Sequence, residues 1–151
     1  MQRGAMVAQS VHIEVDARIG ALAFIPATPV ATSKARKMLP ESIAHSDAVR
    51  NSSNAALLVH ALAQRPDLLH TATQDFLHQS YRKEAMPQSF ALLTKLRNAG
   101  VAAFISGAGP TVLVLHTGGP SEAEELRRAA GDKFTATELG ISRSGASVVS
   151  A

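Results

Sequence analysis

The run Ser106-Gly107-Ala108-Gly109-Pro110-Thr111 places backbone amides and two hydroxyls in one short loop, here called the glycine loop. Apolar runs with the length and branched-residue content of buried strands flank it, at residues 101–105 and 112–115. Glycine allows positive φ and close approach of a ligand, and successive amides in such a loop can form an anion-binding concavity. An ordinary hairpin turn explains a bare Gly-x-Gly equally well, so both interpretations stay open at this stage.

Two arginines stand where they could bind a carboxylate. Arg36 follows Thr32 by four residues at the start of a predicted short helix, so both side chains can project from one face. Arg82 ends the run His78-Gln79-Ser80-Tyr81-Arg82, between two predicted helices. A guanidinium donates two parallel hydrogen bonds to a carboxylate, which lysine cannot do. Without further information, Arg36 is an exposed helix charge and Arg82 an ordinary loop arginine.

The glycine loop resembles the third conserved motif of the GHMP kinases, which include galactokinase, homoserine kinase, mevalonate kinase and phosphomevalonate kinase. Three further runs precede the loop in the order found in the homoserine kinases: Thr32 to Pro40, His45 to Asn51, and His78 to Arg82. The resemblance extends from about Val11 to the end of the chain. It matches only the C-terminal half of those enzymes.

The resemblance implies a role for each of these residues. The threonine that matches Thr32 lies beside the substrate in homoserine kinases, and the arginines that match Arg36 and Arg82 bind the carboxylate of L-homoserine. Gly107 would bring its amide to the substrate, where preorganised donors stabilise charge on phosphoryl oxygens. Its phosphate-loop neighbours would be Ser106, Gly109 and Thr111. The implied reaction is ATP-dependent conversion of L-homoserine to O-phospho-L-homoserine in threonine biosynthesis, with no catalytic residue assigned.

The nucleotide-binding motif of the GHMP kinases does not occur in this sequence. Those enzymes bind ATP through a loop of the type Pro-x-x-x-Gly-Leu-Gly-Ser-Ser-Ala, and their magnesium carboxylate lies in the same N-terminal half. Phosphoryl transfer needs metal, phosphate cradle and substrate positioned together. We therefore expect ATP and Mg²⁺ to act in the complete enzyme and neither to bind this chain alone. The expectation is a fragment, split subunit or partial gene product, inactive without the N-terminal half or a complementing chain.

The composition predicts a cytoplasmic protein of one domain. The 151 residues can bury a core, and 46% hydrophobic with 18% charged residues exclude a disordered or fibrous chain. The absence of cysteine excludes a disulfide framework, a thiolate metal site and a cysteine nucleophile. Six scattered histidines do not predict a metal site. The net charge of +3, the 4% aromatic content and the lack of a signal peptide or long apolar run predict binding to neither nucleic acid nor membrane.

Hydrophobic periodicity predicts the surrounding elements. Strands are predicted at Val11–Val15, Ile19–Ile25, 101–105, 112–115, Lys133–Leu139 and Ala146–Val149. Helices are predicted from Thr32 or Ser33 to Pro40, from a Ser46 cap through Ala63, from Pro66 through Phe76, from Pro87 to Gly100, and from a capping box at Ser121–Glu124 to Gly131. The second helix carries a wide apolar stripe, which predicts burial between other elements.

This order of elements predicts an α+β fold in a single domain over residues 1–151. The resemblance implies the ferredoxin-like C-terminal domain of the GHMP kinases. That domain is an antiparallel sheet covered by helices, with an inserted helical block, and here the N-terminal ATP-binding domain is absent.

Two other functions stay open from the sequence. One is a stand-alone ferredoxin-like module that binds an amino acid without catalysis, and the other is an interaction domain that completes another chain. A homodimer is a further option. His45 and His78 are interpreted as structural, because no acidic residue at local spacing orients either ring. The polar run Asn51–Asn54 is interpreted as a solvent face or as a surface toward the absent domain.

Overall fold

The computed structural model describes residues 11–142, so the predicted strand Ala146–Val149 lies outside the described residues. Within this range the elements are β1 (Gly20–Pro26), α1 (Thr32–Lys37), α2 (His45–Ala63), a first 3₁₀ helix (Pro66–Leu68), α3 (Leu69–Ala72), a second 3₁₀ helix (Ser80–Ala85), α4 (Pro87–Asn98), β2 (Ala102–Ile105), β3 (Val112–His116), α5 (Gly119–Ala130) and β4 (Phe134–Leu139). No helix in the described range is long and apolar enough to cross a membrane.

The strands form one antiparallel sheet of four strands in the order β2-β3-β1-β4. Leu22 of β1 pairs with Val114 of β3 on one side and with Glu138 of β4 on the other. A helical block joins β1 to β2, and α5 joins β3 to β4, which gives the β-α-β-β-α-β ferredoxin-like topology. The predicted α+β fold class is confirmed. The hairpin of β2 and β3 holds the glycine loop at its tip.

The two faces of the sheet pack against different helices. Leu22, Phe24 and Val114 belong to the main core, with Leu96 of α4 and Leu126 of α5. A smaller cluster packs α2 and α3 against the other face near β2, through the residues Ile19, Ala61, Leu69, Ala72 and Ala102. Burial of this apolar surface is the main term that holds the helical block on the sheet.

The ends of α4 and α5 follow from local sequence. Pro87 occupies the first turn of α4, where a missing amide costs no hydrogen bond. Gly100 stands just beyond the end of α4 with φ +82°, and Gly131 ends α5 with φ +68°. The predicted ends are confirmed because each depends on the backbone freedom of one residue.

The predicted N-terminal caps are wrong. No side-chain hydrogen bond caps α1, α2 or α5, and the N-caps are Ala31, Ala44 and Gly118 rather than the predicted Thr32 or Ser33, Ser46 and Ser121. At α5 the carboxylate of Glu122 accepts the amide hydrogen of Gly118, so the acidic residue of the cap stands two positions before the predicted Glu124. Serine and threonine are common near the start of a helix, so their presence alone does not identify the residue at which the helix begins.

The predicted strand at Val11–Val15 does not form. Val11 is 77% exposed, and the segment has no place in the sheet. It is fixed by Asp16, whose amide donates to the Leu62 carbonyl at 2.8 Å, and Val15 packs against the smaller cluster. Hydrogen bonds from Arg18 lower the pKa of Asp16 to about 2. Of the alternating apolar residues, Val15 packs against the smaller cluster, whereas Val11 and Ile13 are exposed, so the alternation does not reflect strand pairing.

The helix α2 is less buried than its apolar stripe predicts. Ala61 is its buried residue, whereas Val49 and Val59 are 50% and 49% exposed. The inner side packs against α3 and the first 3₁₀ helix, and no element within residues 11–142 covers the outer side.

The helix predicted from Pro66 through Phe76 is also shorter. It is a 3₁₀ turn followed by α3, which ends at Ala72. The Thr73 hydroxyl donates to the Leu69 carbonyl at 2.7 Å, and the chain then leaves the helix. Phe76 lies in the following loop, where the Arg50 guanidinium stands 3.8 Å above its ring. This loop leads directly to the second 3₁₀ helix.

Candidate functional site

The second 3₁₀ helix meets the glycine loop at Arg82. This residue is only 7% exposed, and its Nη1 donates to the carbonyl oxygen of Gly107 at 3.0 Å. The two residues are 25 positions apart in the sequence, so the contact depends on packing of the 3₁₀ helix against the β2–β3 hairpin. Two of the predicted site residues are therefore neighbours in space.

Within residues 11–142, Arg82 is a buried cation without a counter-ion. Its Nε is buried and has no hydrogen-bond acceptor, and no carboxylate within residues 11–142 forms an ion pair with it. Removing a charge from water costs free energy unless hydrogen bonds and an opposite charge offset the loss. The bond to Gly107 leaves most of the guanidinium donors without an acceptor. This environment favours an anionic ligand beside Arg82.

A cleft of about 370 Å³ opens beside this guanidinium, and we call it the Arg82 cleft. It lies between α2, the segment that follows α3, and the end of β2. Its polar lining comprises Asn51, Asn54, Thr73, Gln74, Asp75, His78, Gln79 and Arg82, and its apolar lining includes Ala55, Leu58, Phe104 and Ile105. Apolar walls with a few converging polar groups and a buried charge are typical of a small-molecule site.

The polar run of α2 divides between the cleft and the solvent. Asn51 Oδ1 accepts a backbone amide hydrogen at 3.1 Å, and Asn54 Nδ2 donates to a backbone carbonyl at 3.1 Å, both in the segment after α3. Ser52 and Ser53 are exposed, and each hydroxyl donates to a carbonyl one turn earlier. The predicted solvent face is therefore correct for the two serines and wrong for the two asparagines.

Asp75 organises the segment that leads to Arg82. Its carboxylate accepts the amide hydrogens of Leu77, His78 and Gln79 at 2.8, 3.1 and 2.8 Å. The same carboxylate lies 3.2 Å from His78 Nδ1. The prediction that no local acid orients His78 is wrong, because Asp75 stands three residues before it and the loop folds back. His45, in contrast, is exposed in the first turn of α2.

The glycine loop is a tight hairpin that also leaves donors free. Ser106 donates its amide to Thr111 at 2.9 Å, and Gly109 donates to Ser106 at 2.9 Å. Gly107 and Gly109 adopt φ +57° and +85°, the region that favours glycine. Within residues 11–142, the amides of Gly107 and Ala108 have no hydrogen-bond acceptor. The hairpin and the anion-binding interpretations of the sequence are thus compatible.

Thr32 and Arg36 do not line the Arg82 cleft. Both are exposed on α1, and no carboxylate of the described range pairs with Arg36. The helix α1 contacts the second 3₁₀ helix, so it stands beside the segment that carries Arg82. Its basic residues Lys34, Arg36 and Lys37 give this side of the molecule a positive charge. The structure brings Arg82 and Gly107 together and places Thr32 and Arg36 on an adjacent element.

Sequence reasoning missed most of the polar lining of the cleft, including Asp75, Asn51 and Asn54. Asp75 had a usable signal, since an acidic residue just before a turn commonly accepts the amides that follow. Asn51 and Asn54 had none, because the wall that they form exists only after α2 packs beside the segment that follows α3.

Comparison with known proteins relates this region of the chain to a family. The family model described as "GHMP kinases C terminal" matches residues 54–136. The chain belongs to the GHMP kinases. The matched range includes Arg82, the glycine loop, β2 and β3, and all of the residues that line the cleft except Asn51.

Among the GHMP kinases, the chain is similar to proteins named homoserine kinase. One from Streptomyces coelicolor is 45% identical over 149 residues, which is 99% of this chain and 47% of that protein. One from Mycolicibacterium smegmatis is 50% identical over 119 residues, which is 78% of this chain and 37% of that protein. The chain spans about half the length, or less, of the curated relatives that it matches.

A solved structure gives the same relationship in three dimensions. The crystal structure of homoserine kinase from Cytophaga hutchinsonii matches this chain with a TM-score of 0.75 and 26% identity. The match covers 85% of this chain and 43% of that one. The ferredoxin-like domain of this chain is therefore the C-terminal domain of the GHMP kinase fold.

Proposed function

We propose that this chain forms the C-terminal, substrate-binding part of an ATP-dependent homoserine kinase. The reaction transfers the terminal phosphoryl group of ATP to the side-chain hydroxyl of L-homoserine, in the threonine biosynthesis of the cytoplasm. The relatives named homoserine kinase support this proposal. The structural observation that carries it is Arg82, a buried cation that borders a cleft and has no counter-ion among residues 11–142. The carboxylate of an amino acid matches the donor fork of a guanidinium.

Each predicted site residue has a role in this proposal. Arg82 binds the substrate carboxylate, and the carbonyl of Gly107 fixes the orientation of its guanidinium. Arg36 is the second carboxylate ligand and Thr32 lies beside the substrate, both contributed by the adjacent α1. Backbone amides of the glycine loop donate toward the phosphoryl oxygens, as electrostatic stabilisation of the transferred group requires. The neighbouring residues of this loop are Ser106, Gly109 and Thr111.

The described residues do not fit a complex of Mg²⁺ and ATP. Within residues 11–142, no group of three or more His, Asp or Glu side chains could hold a metal ion. The phosphate loop of the GHMP kinases is also absent from the sequence. In the proposal, an N-terminal half like that of the relatives supplies the nucleotide site, and this chain supplies the groups that bind the substrate.

The proposal predicts that the chain binds L-homoserine through Arg82. We expect Arg82→Met to weaken binding about ten- to a hundredfold, because charge-assisted hydrogen bonds contribute about 1.5–3 kcal/mol. Lys83→Met is the matched control, since Lys83 is exposed one position along the same 3₁₀ helix, and it should bind as the parent does. An NMR titration with L-homoserine, followed at the amides of Arg82 and Gly107, measures both affinities.

A second ligand separates the carboxylate from the rest of the substrate. The amino alcohol that lacks the carboxylate of homoserine should bind weakly and to the same extent in the parent and in Arg82→Met. Thermal unfolding shows whether each variant is folded. A folded Arg82→Met chain that binds L-homoserine as tightly as the parent would remove Arg82 from the site.

A further inference from the structure

Gln79 joins the two segments that form the site. It is 8% exposed, and its Oε1 accepts the amide hydrogen of Ile105 at 2.6 Å. Ile105 is the last residue of β2 and directly precedes the glycine loop. The Gln79 carbonyl accepts the amide hydrogen of Arg82 at 3.2 Å. One residue therefore contacts both the strand that leads into the loop and the backbone of the arginine.

The bond to Ile105 replaces a missing strand. Because β2 is an edge strand, the Ile105 amide that points away from β3 has no strand partner. Gln79 supplies the acceptor from a position 26 residues earlier in the sequence. Its own amide donates to Asp75 at 2.8 Å, so the acceptor is fixed on a segment that is itself hydrogen-bonded.

Two bonds therefore connect the second 3₁₀ helix and its preceding residue to the end of the hairpin. Gln79 bonds Ile105 at the base of the glycine loop, and Arg82 bonds Gly107 inside the loop. Two separate contacts fix both the distance and the rotation of one segment against the other, whereas the Arg82 bond alone would act as a pivot. The position of the guanidinium relative to the free loop amides depends on both.

We propose that Gln79 is a positioning residue for substrate binding, an inference that rests on the proposed function. Its side chain holds the glycine loop in a fixed position relative to Arg82. The guanidinium that binds the carboxylate and the loop amides then face the substrate together. Misplacement of about 1 Å in an active site can lower a rate about a hundredfold, and hydrogen bonds to a ligand weaken steeply when their geometry is lost. Gln79 lines the cleft, but its side-chain oxygen is bonded to the Ile105 amide, so it acts through Arg82 and the loop.

The test uses two substitutions that differ in whether the side chain keeps an acceptor oxygen. Gln79→Met retains the length of the side chain and removes the acceptor, whereas Gln79→Glu retains an acceptor oxygen. Gln88→Met is the matched control, because Gln88 is exposed in the first turn of α4. Leu126→Ala lowers stability from α5, an element that does not line the Arg82 cleft, and controls for a general loss of stability.

Two readouts are measured on each chain. Without ligand, amide hydrogen exchange at Ile105 and Gly109 and the Nε–H resonance of Arg82 report the register of loop and arginine. With ligand, NMR titration gives the Kd for L-homoserine. We expect Gln79→Met to accelerate exchange at both amides, to shift the Arg82 resonance and to raise Kd about tenfold or more. Gln79→Glu should restore slow exchange at Ile105, and its affinity is not compared because the added carboxylate shares the Arg82 cleft and would compete with an anionic ligand. Gln88→Met and Leu126→Ala should retain the parental Kd.

The positioning role is overturned if folded Gln79→Met has the Kd of Leu126→Ala, or if its loop exchange and Arg82 resonance match the parent. It is also overturned if the Ile105 amide exchanges as fast in Gln79→Glu as in Gln79→Met. A parent chain that does not bind L-homoserine counts against the proposed function instead. The measurements without ligand then test the positioning role on their own. Unchanged amide exchange and an unchanged Arg82 resonance in Gln79→Met would overturn it.

Discussion

Arg36 and Arg82 have the same side chain and the same predicted role, yet the fold gives them different surroundings. Arg36 is exposed on a short helix, where water screens its charge. Arg82 is buried against the Gly107 carbonyl, where a charge interacts strongly with whatever lies beside it. The difference arises from packing of the 3₁₀ helix on the hairpin. Sequence spacing carries no information about that packing, so the sequence predicted the same role for both arginines.

The two glycines of the loop should respond differently to substitution by alanine. A Cβ at Gly107 meets no atom within 4 Å, so Gly107→Ala bears mainly the left-handed backbone cost of about 1–2 kcal/mol. A Cβ at Gly109 would lie 2.6 Å from Met86 Cε and Sδ, which adds an overpacking cost of about 1–3 kcal/mol. Urea unfolding of both variants should show the larger loss of stability in Gly109→Ala.

A double variant tests the cause of this difference. Met86 is buried, so shortening it costs stability by itself, but Gly109→Ala should cost less in a Met86→Ala background than in the parent. Equal losses in the two backgrounds would mean that the Met86 side chain moves aside freely, and that only the φ of Gly109 matters.

At the scale of the elements, the accuracy of the sequence predictions depended on how local each signal was. The ends of α4 and α5 were predicted because proline and glycine act on their own backbone. The burial of α2 was not, because an apolar stripe shows which side is able to pack but not which partner covers it. The strand predicted at Val11–Val15 failed for the same reason, since alternation requires a sheet edge that the sequence cannot locate. The sequence could not predict the cleft either, because α2 forms one of its walls.

Arg97 of α4 joins three elements and should be a major determinant of their packing. Its guanidinium donates to the Thr73 hydroxyl at 3.2 Å, to the Ala103 carbonyl at 2.8 Å and to the His70 carbonyl at 2.6 Å. Burial lowers the pKa of Arg97 from its ordinary value, and the group remains a cation. We expect Arg97→Met to reduce the free energy of unfolding by about 2–3 kcal/mol, because carbonyls of α3 and β2 lose their partner.

Arg128→Met provides the control for Arg97→Met. Arg128 is exposed on α5, and its ion pair with Glu124 is a surface pair, so its loss should change stability by at most about 0.5 kcal/mol. Urea denaturation of the two variants and the parent measures both effects. A loss in Arg97→Met no greater than that in Arg128→Met would show that water replaces the buried donors without cost.

At the scale of the whole molecule, the described groups of the site lie at one end of the sheet. The Arg82 cleft is formed by α2, the loop after α3 and the tip of the β2–β3 hairpin, and α1 stands beside it. The chain matches about half of the length of its curated relatives, and the GHMP phosphate loop is not in its sequence. In the proposed function, substrate-binding groups and nucleotide-binding groups are therefore carried by different parts of the GHMP kinase fold.

The purified chain should therefore show no L-homoserine-dependent phosphorylation or ATP hydrolysis. Positioning of the nucleotide phosphates and metal accounts for most of phosphoryl-transfer catalysis, and the described residues provide no site for either. A coupled assay over a range of L-homoserine and Mg-ATP concentrations measures this. Addition of the separately expressed N-terminal half of the Streptomyces coelicolor relative should restore turnover with the parent chain and much less with Arg82→Met. Turnover that follows the isolated chain through successive purification steps, and that Arg82→Met abolishes, would contradict the division of binding groups between two parts of the fold.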